Sequence, residues 1–159
     1  ARLTFSDTTN SKTFEYLINV EVAGPPEGTQ YWVPLDTDPG WLRTGQWEFG
    51  VPKGKGTHNP DPKRGFSGRK VFGNNLNGDY ENNSPRQILT TNAIDCSQLE
   101  HVELSFWHWF GIESTPYDRA ALQVVYIRWI LGKTDSLVTY CGFNIDDIAI
   151  IGSPLETAK

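Results

Sequence analysis

Methionine is absent from this chain, and cysteine occurs only at Cys96 and Cys141. Two cysteines permit one disulfide and demand none. A chain that begins at Ala1, carries no methionine and shows no signal peptide reads as a processed piece of something longer. Basic residues are outnumbered, 14 Lys and Arg against 19 Asp and Glu, for a formal charge of −5. That balance argues against nucleic acid or an anionic membrane as partner, since both need a basic footprint. No run of 18 apolar residues occurs, so nothing here predicts a membrane-spanning helix. The chain also lacks HExxH, GxSxG and a P-loop, and GFSG at 65–68 does not have the required spacing. Amphipathic helical periodicity, internal repeats and low-complexity tracts are missing too.

What is present points to strands. Aromatics make up 13% of the chain, and 15 Gly and 10 Pro supply frequent breaks, a profile of short strands and long loops. At 159 residues the chain is one domain, or one with a fragment of another, and can bury a real core. Residues 100–112, EHVELSFWHWFGI, alternate strictly. Val102, Leu104, Phe106, His108, Phe110 and Ile112 share one face, which reads as the core face of a central strand. His101, Glu103, Ser105, Trp107 and Trp109 share the other, where a sheet sets two indoles side by side. His108 on the apolar face reads as a satisfied core histidine rather than a base.

Residues 13–22, TFEYLINVEV, read as a half-buried strand with Phe14, Tyr16, Ile18, Val20 and Val22 on one face. Residues 2–5 can pair with it across a polar turn at 6–12. GPPEGTQ at 24–30 reads as a linker, because its proline pair cannot sit inside a sheet. The acidic turn of Asp36 and Asp38 follows the 31–35 segment, and 51–68 is a long aperiodic loop of the functional or mobile kind. Further strands are expected at 69–72, 86–95, 121–131, 137–141 and 143–151. The sum is an all-β fold.

Three constellations can carry chemistry. Asn75, Asn77, Asp79 and Glu81 place oxygens at every second position around Gly78, as a loop wrapping a hard cation does, or as any solvated Asn/Gly turn does. Asp146 and Asp147 stand inside the last strand, so one carboxylate faces the packed side and needs Arg128, a cluster of amides or a metal; a solvent-facing pair is the plain alternative. Asp36 and Asp38 are natural co-ligands if chain entry and exit lie close together. The third is aromatic: exposed indoles stack on sugar rings or apolar partner side chains. Most tryptophans fill cores, and Trp107 and Trp109 stand out as exceptions, with Trp47 and Tyr80 as further ligand-binding candidates. A carboxylate pair drawn from Glu103, Glu48 and Glu113 can serve a glycosidase, although sequence sets no separation. Cys96 and Cys141 can meet in a sandwich, and an extracellular setting would oxidise them.

The blocks at 45–52 (GQWEFGVP), 67–83 (SGRKVFGNNLNGDYENN), 89–97 (LTTNAIDCS), 102–114 (VELSFWHWFGIES) with Tyr117 and Asp118, and 126–150 (YIRWILGKTDS…YCGFNIDDIAI) together resemble the MAM-like, concanavalin-type jelly-roll modules of large secreted bacterial proteins, planctomycete types above all. The resemblance spans about residues 31–152 and implies a non-catalytic jelly-roll β-sandwich outside the cytoplasm. It would serve adhesion or bind a carbohydrate or protein ligand, attached to other domains of a longer parent such as peptidases. Structural Ca²⁺ near the IDD strand is implied as well, which favours Asp146 or Asp147 and the Asp36/Asp38 turn as ligands. Residues 1–23 resemble the closing strands of a preceding immunoglobulin-like domain, with 24–30 as linker and 153–159 as tail. The family carries additional strands between Gln123 and Val124 that this chain lacks. Two rival expectations remain: a structural subunit of a cell-surface layer or filament, and a glycan-active enzyme.

Overall fold

The computed structural model describes residues 2–7, 12–17, 24–114, 116–123 and 127–155. Among them there is no helix, and eleven strands form antiparallel sheets. β1 (Arg2–Asp7) and β2 (Lys12–Leu17) pair as a two-stranded sheet with Arg2 opposite Leu17 and Asp7 opposite Lys12. The expected hairpin is therefore formed. Ile18, Val20 and Val22 lie outside the described residues, as do most of its turn and the end of the tail.

Two sheets make the sandwich. One runs β4 (Leu42–Arg43), β7 (Gln87–Thr90), β10 (Arg128–Leu131), β9 (Ala120–Gln123). The other runs β3 (Thr29–Val33), β11 (Gly142–Pro154), β6 (Val71–Asn74), β5 (Trp47–Gly50), with β8 (Leu99–Gly111) along β11. β3 begins inside the stretch expected to be linker. The apolar run at 121–131 is two strands of a hairpin rather than one, β9 and β10, with 124–126 outside the described residues. The 137–141 segment forms no strand.

Trp41, Phe72, Leu89, Trp129, Ile145 and Ile148 fill the space between the sheets. Trp41 stacks between Phe72 (5.4 Å) and Trp129 (5.7 Å), and Trp129 meets Phe106 edge-on at 5.5 Å. Aromatic pairs in these geometries add about 0.5–1.5 kcal/mol each beyond the area they bury, so the layers are joined mainly by rings.

β8 is an edge, not the central strand its alternation suggests; β11 is central. Among the described residues β8 pairs only with β11, over its full length, with Leu99 opposite Pro154 and Gly111 opposite Gly142. Leu104 and Phe106 pack on the core, but Val102, His108 and Phe110 are exposed. The physical reason is position: an edge strand runs beyond the opposing four-stranded sheet, so its inward face finds cover only near the middle. His108 accordingly lies on the surface, its ring edge-on to Phe143 and Phe110.

Candidate functional site

The outer face of the five-stranded sheet is assembled from β5, β6, β11 and β8. Glu48 stands opposite Gly73, Gly73 opposite Asn144, and Asn144 opposite Trp109; one step along, Asp146 stands opposite Trp107. Residues directly opposite one another in a ladder share a face, so the indoles lie beside Asn144 and Asp146, two of the three buried polar side chains of β11. The loop at 51–68 folds over this face. Pro62, Arg64 and Phe66 from the loop, with Val71, Trp107 and Trp109, line a cavity of about 370 Å³.

A β-bulge fastens the loop. The β8–β11 register slips between Asp146 and Ala149, and Asp147 adopts a left-handed φ of 49°. A bulge breaks the period-two alternation. Instead of pointing to opposite faces, as strand spacing predicts, both carboxylates reach neighbouring residues of one loop. The Phe66 amide donates to Asp146 Oδ2 (2.5 Å), and Ser67 Oγ donates to Asp147 Oδ1 (2.5 Å). Arg128 is not their partner; it donates to Thr90 Oγ1 in the other sheet. Burial, then the charge of Asp147, pushes Asp146 up to about 6. Asp147 is also raised, by burial and by the neighbouring Asp36 carboxylate.

Asp36 thus lies beside Asp147, and its Oδ1 reaches Gly68. Asp38 does not join them. It accepts from Arg43 (2.8 Å) and from the Gly40 amide, and these outweigh the upward push of burial to hold it below the usual carboxylate value. Asp146 Oδ1 is buried without a hydrogen-bond partner. Among the described residues no three His, Cys, Asp or Glu side chains are arranged to hold a metal ion. The trio of Asp36, Asp146 and Asp147 still has the all-oxygen chemistry and the orphan acceptor that a hard cation suits.

The loop oxygens of Asn75, Asn77 and Asp79 do not converge. Asn75 Nδ2 donates to the Asp79 carbonyl, Asn77 Oδ1 accepts from Lys55 Nζ, and Asp79 accepts from the Thr57 amide and Thr139 Oγ1. Each is used to fasten the loop. Tyr80, only 1% exposed, donates its hydroxyl to buried Asp118 and is not available to a ligand; burial and that carboxylate push its pKa up. Trp47 is likewise a core residue, packed on Phe143. Neither is therefore the ligand-binding residue the sequence suggests: Trp47 shares with Phe49 the β5 face turned to the core, and Tyr80, in the loop after β6, is held inside by Asp118 and by its amide's bond to the Tyr140 carbonyl.

Cys96 and Cys141 are free thiols, not a disulfide. Cys96 precedes β8 at the Leu99–Pro154 end of the ladder, while Cys141 adjoins Gly142 at the other. Twelve strand steps at about 3.4 Å put them roughly 40 Å apart along the ladder, far beyond a bridge. Cys141 is sealed beside Asp61, and burial followed by that carboxylate pushes its pKa up to about 12. Asp61, 4% exposed, accepts from Asn144 Nδ2 (2.7 Å), and burial raises it to about 6.

Trp107 and Trp109 are 54% and 43% exposed. Phe66, 50% exposed, stacks on Trp107 at 3.7 Å and 13°, and the Pro60 carbonyl fixes Trp109 by accepting from its Nε1. Strand alternation points to the two indoles; Phe66 and Arg64 are absent from that reading because only the folded loop brings them there. The carboxylates Glu103 and Glu48 lie on β8 and β5, three strand spacings apart (about 14 Å), and Glu48 is in line with Trp109, six residues or roughly 20 Å along β8 from Glu103. That exceeds the roughly 5–9.5 Å of a glycosidase pair. No described helix is long and apolar enough to cross a membrane. No family model, curated protein or solved structure matches the chain.

Proposed function

We propose that this chain is a non-catalytic, carbohydrate-binding module of the MAM-like jelly-roll type, acting outside the cytoplasm within a longer secreted protein. The observation that carries the reading is the Phe66–Trp107 stack with Trp109 beside it, three exposed rings rimming one cavity. Exposed rings held in place by a stack and a hydrogen bond lose little freedom when they bind, which is where a preformed site gains affinity. Sugar rings present apolar C–H faces to an indole, and a cavity of about 370 Å³ lies at the small end of ligand sites. A calcium ion held by Asp36, Asp146 and Asp147 would fix the bulge that anchors the loop. Its chemistry there is structural: it neutralises three crowded carboxylates.

Titration of a polysaccharide panel, followed by intrinsic tryptophan fluorescence, tests the reading. At least one polymer quenches the wild type saturably, and Trp107→Ala weakens it by roughly tenfold, about 1.4 kcal/mol. A panel without a binder, or a Trp107→Ala variant that binds as the wild type does, contradicts it.

A second reading has its own observation. The outer edge of β8 has no strand partner among the described residues, and long free edges recruit further strands. Self-assembly into a surface layer would use that edge. Light scattering at high concentration decides it, because a stable monomer leaves the edge without that role.

A further inference from the structure

We propose that the polysaccharide is anionic, bearing carboxylate or sulfate groups, and that Arg64 receives them at the rim of the aromatic cavity, with the adjacent Lys63 adding to the positive charge there. This deepens the carbohydrate reading and rests on it. The chain as a whole carries −5, yet six of its 14 Lys and Arg lie between Lys53 and Lys70. That stretch holds a single carboxylate, Asp61, which is buried. The acidic protein therefore concentrates positive charge on the one loop that walls its cavity.

The six are not equivalent. Lys55 is tied to Asn77 Oδ1, and Lys70 donates to the Asp36 carbonyl and sits over the Phe49 ring. Lys63 and Arg64, like Lys53 and Arg69, are exposed and have no side-chain hydrogen bond or ion pair among the described residues, and of the six Arg64 is the one that lines the cavity. Arg64 lines the cavity two positions before Phe66, the residue stacked on Trp107. A free guanidinium beside an aromatic platform matches an acidic sugar: the ring stacks, and the planar fork takes the carboxylate or sulfate through two parallel bonds. The opposing charges nearby are Asp146, whose Oδ2 is occupied by the Phe66 amide and whose Oδ1 is buried; buried Asp147, which accepts from Ser67; buried Asp61, which accepts from Asn144; and Glu103, four residues along β8 from Trp107.

Isothermal titration of the intact chain with same-backbone pairs tests this. The pairs are dextran sulfate against dextran, and polygalacturonate against its fully methyl-esterified form; oligo(dT) serves as a non-sugar polyanion. At least one charged polymer is expected to bind roughly tenfold or more tightly than its neutral partner. The sulfate and uronate arms show which group is taken. The preference is expected to shrink at about 0.5 M NaCl and in the Lys63→Ala/Arg64→Ala double variant, whereas Trp107→Ala weakens charged and neutral forms together. Equal affinity for charged and neutral forms overturns the inference and leaves the sugar platform standing, as does a preference unchanged in the double variant. Binding of oligo(dT) as tight as that of the acidic polymers overturns the sugar class. Failure of every polymer to bind overturns the platform reading itself.

Discussion

The Phe66 amide donates to Asp146 Oδ2 across 2.5 Å, joining residues 80 positions apart in the chain. This bond holds the last part of a long loop on the central strand of the larger sheet. It also sets Phe66 where its ring covers one side of Trp107. The bond thus couples loop closure to the aromatic platform, beside the Ser67–Asp147, Trp109–Pro60 and Asn144–Asp61 bonds that fasten the same loop.

Gly65 makes that contact possible. A Cβ there would meet Asp146 Oδ2 at 2.3 Å and the Lys70 carbonyl at 2.7 Å, and a backbone oxygen cannot swing aside. Gly65→Ala is therefore expected to cost about 1–3 kcal/mol in urea unfolding, and to raise the accessibility of Trp107 to acrylamide. Unchanged stability and quenching would mean the loop is not held there.

Acidification should stabilise the protein over a definite window. Asp61 has its pKa raised by burial from 3.8 to about 6, so the folded state keeps its proton to higher pH than the unfolded state does. Stability then falls as pH rises from about 4 to about 6 and stays at the lower level above. Asp146 acts in the same sense, while Asp38 and Asp95, both lowered, act oppositely and below 3.8. Thermal melts should show a higher Tm at pH 5 than at pH 7.5, with Asp61→Asn raising the pH 7.5 value and flattening the profile. A Tm that climbs between pH 5 and pH 7.5 without added metal contradicts this.

Calcium should act on the same bulge. A cation bound only by the folded state adds about 2.7 kcal/mol at a hundredfold excess over its Kd, a rise of roughly 5–10 °C for a chain of this size. EDTA should remove the rise, and Asp36→Asn should abolish it. Identical melts with and without calcium would exclude the ion.

The thiols should behave as two separate classes. Cys96 is partly exposed, and Cys141 is buried with its pKa pushed up to about 12. Native protein is expected to release colour from one thiol with Ellman's reagent at pH 8, and from both in guanidinium. Two native equivalents, or none under non-reducing conditions, would contradict the described ladder.

Much of this fold is legible in the chain. The alternation at 100–112 identifies a strand with two indoles on one face, and the β1–β2 pairing follows from its period-two pattern. Alternation does not say where a strand sits in a sheet, so β8 reads as central although it is the edge. It also assumes an unbroken ladder, and the bulge at Asp147 defeats it. The site is half legible for the same reason. Trp107 and Trp109 are visible from periodicity, and the Asp36 turn is visible as a neighbour of the last strand only if chain ends meet. Phe66, Arg64 and Asn144 become site residues only once a loop without periodicity has folded. The concentration of lysine and arginine in that loop is the sequence signal that points there. Trp47 and Tyr80 read as ligand-binding candidates although they are interior, because composition does not distinguish an interior ring from an exposed one.

Among the six tryptophans, Trp41, Trp47 and Trp129 belong to the core and Trp107 and Trp109 to the outer face. Trp129 is fully buried, so Trp129→Ala is expected to cost about 3–5 kcal/mol, enough to abolish a cooperative melt near room temperature. Trp107→Ala is expected to change stability by only about 0.5 kcal/mol. Retention of the native melt in Trp129→Ala would show that the interior is not built on these rings.

The most direct measurement follows the indole N–H resonances of ¹⁵N-labelled protein while a bound acidic polysaccharide is titrated in. The resonances of Trp107 and Trp109 should shift or broaden to saturation, while those of Trp41, Trp47 and Trp129 stay in place. Resonances of Trp107 and Trp109 that hold still while the polymer binds would place the ligand elsewhere and contradict the account.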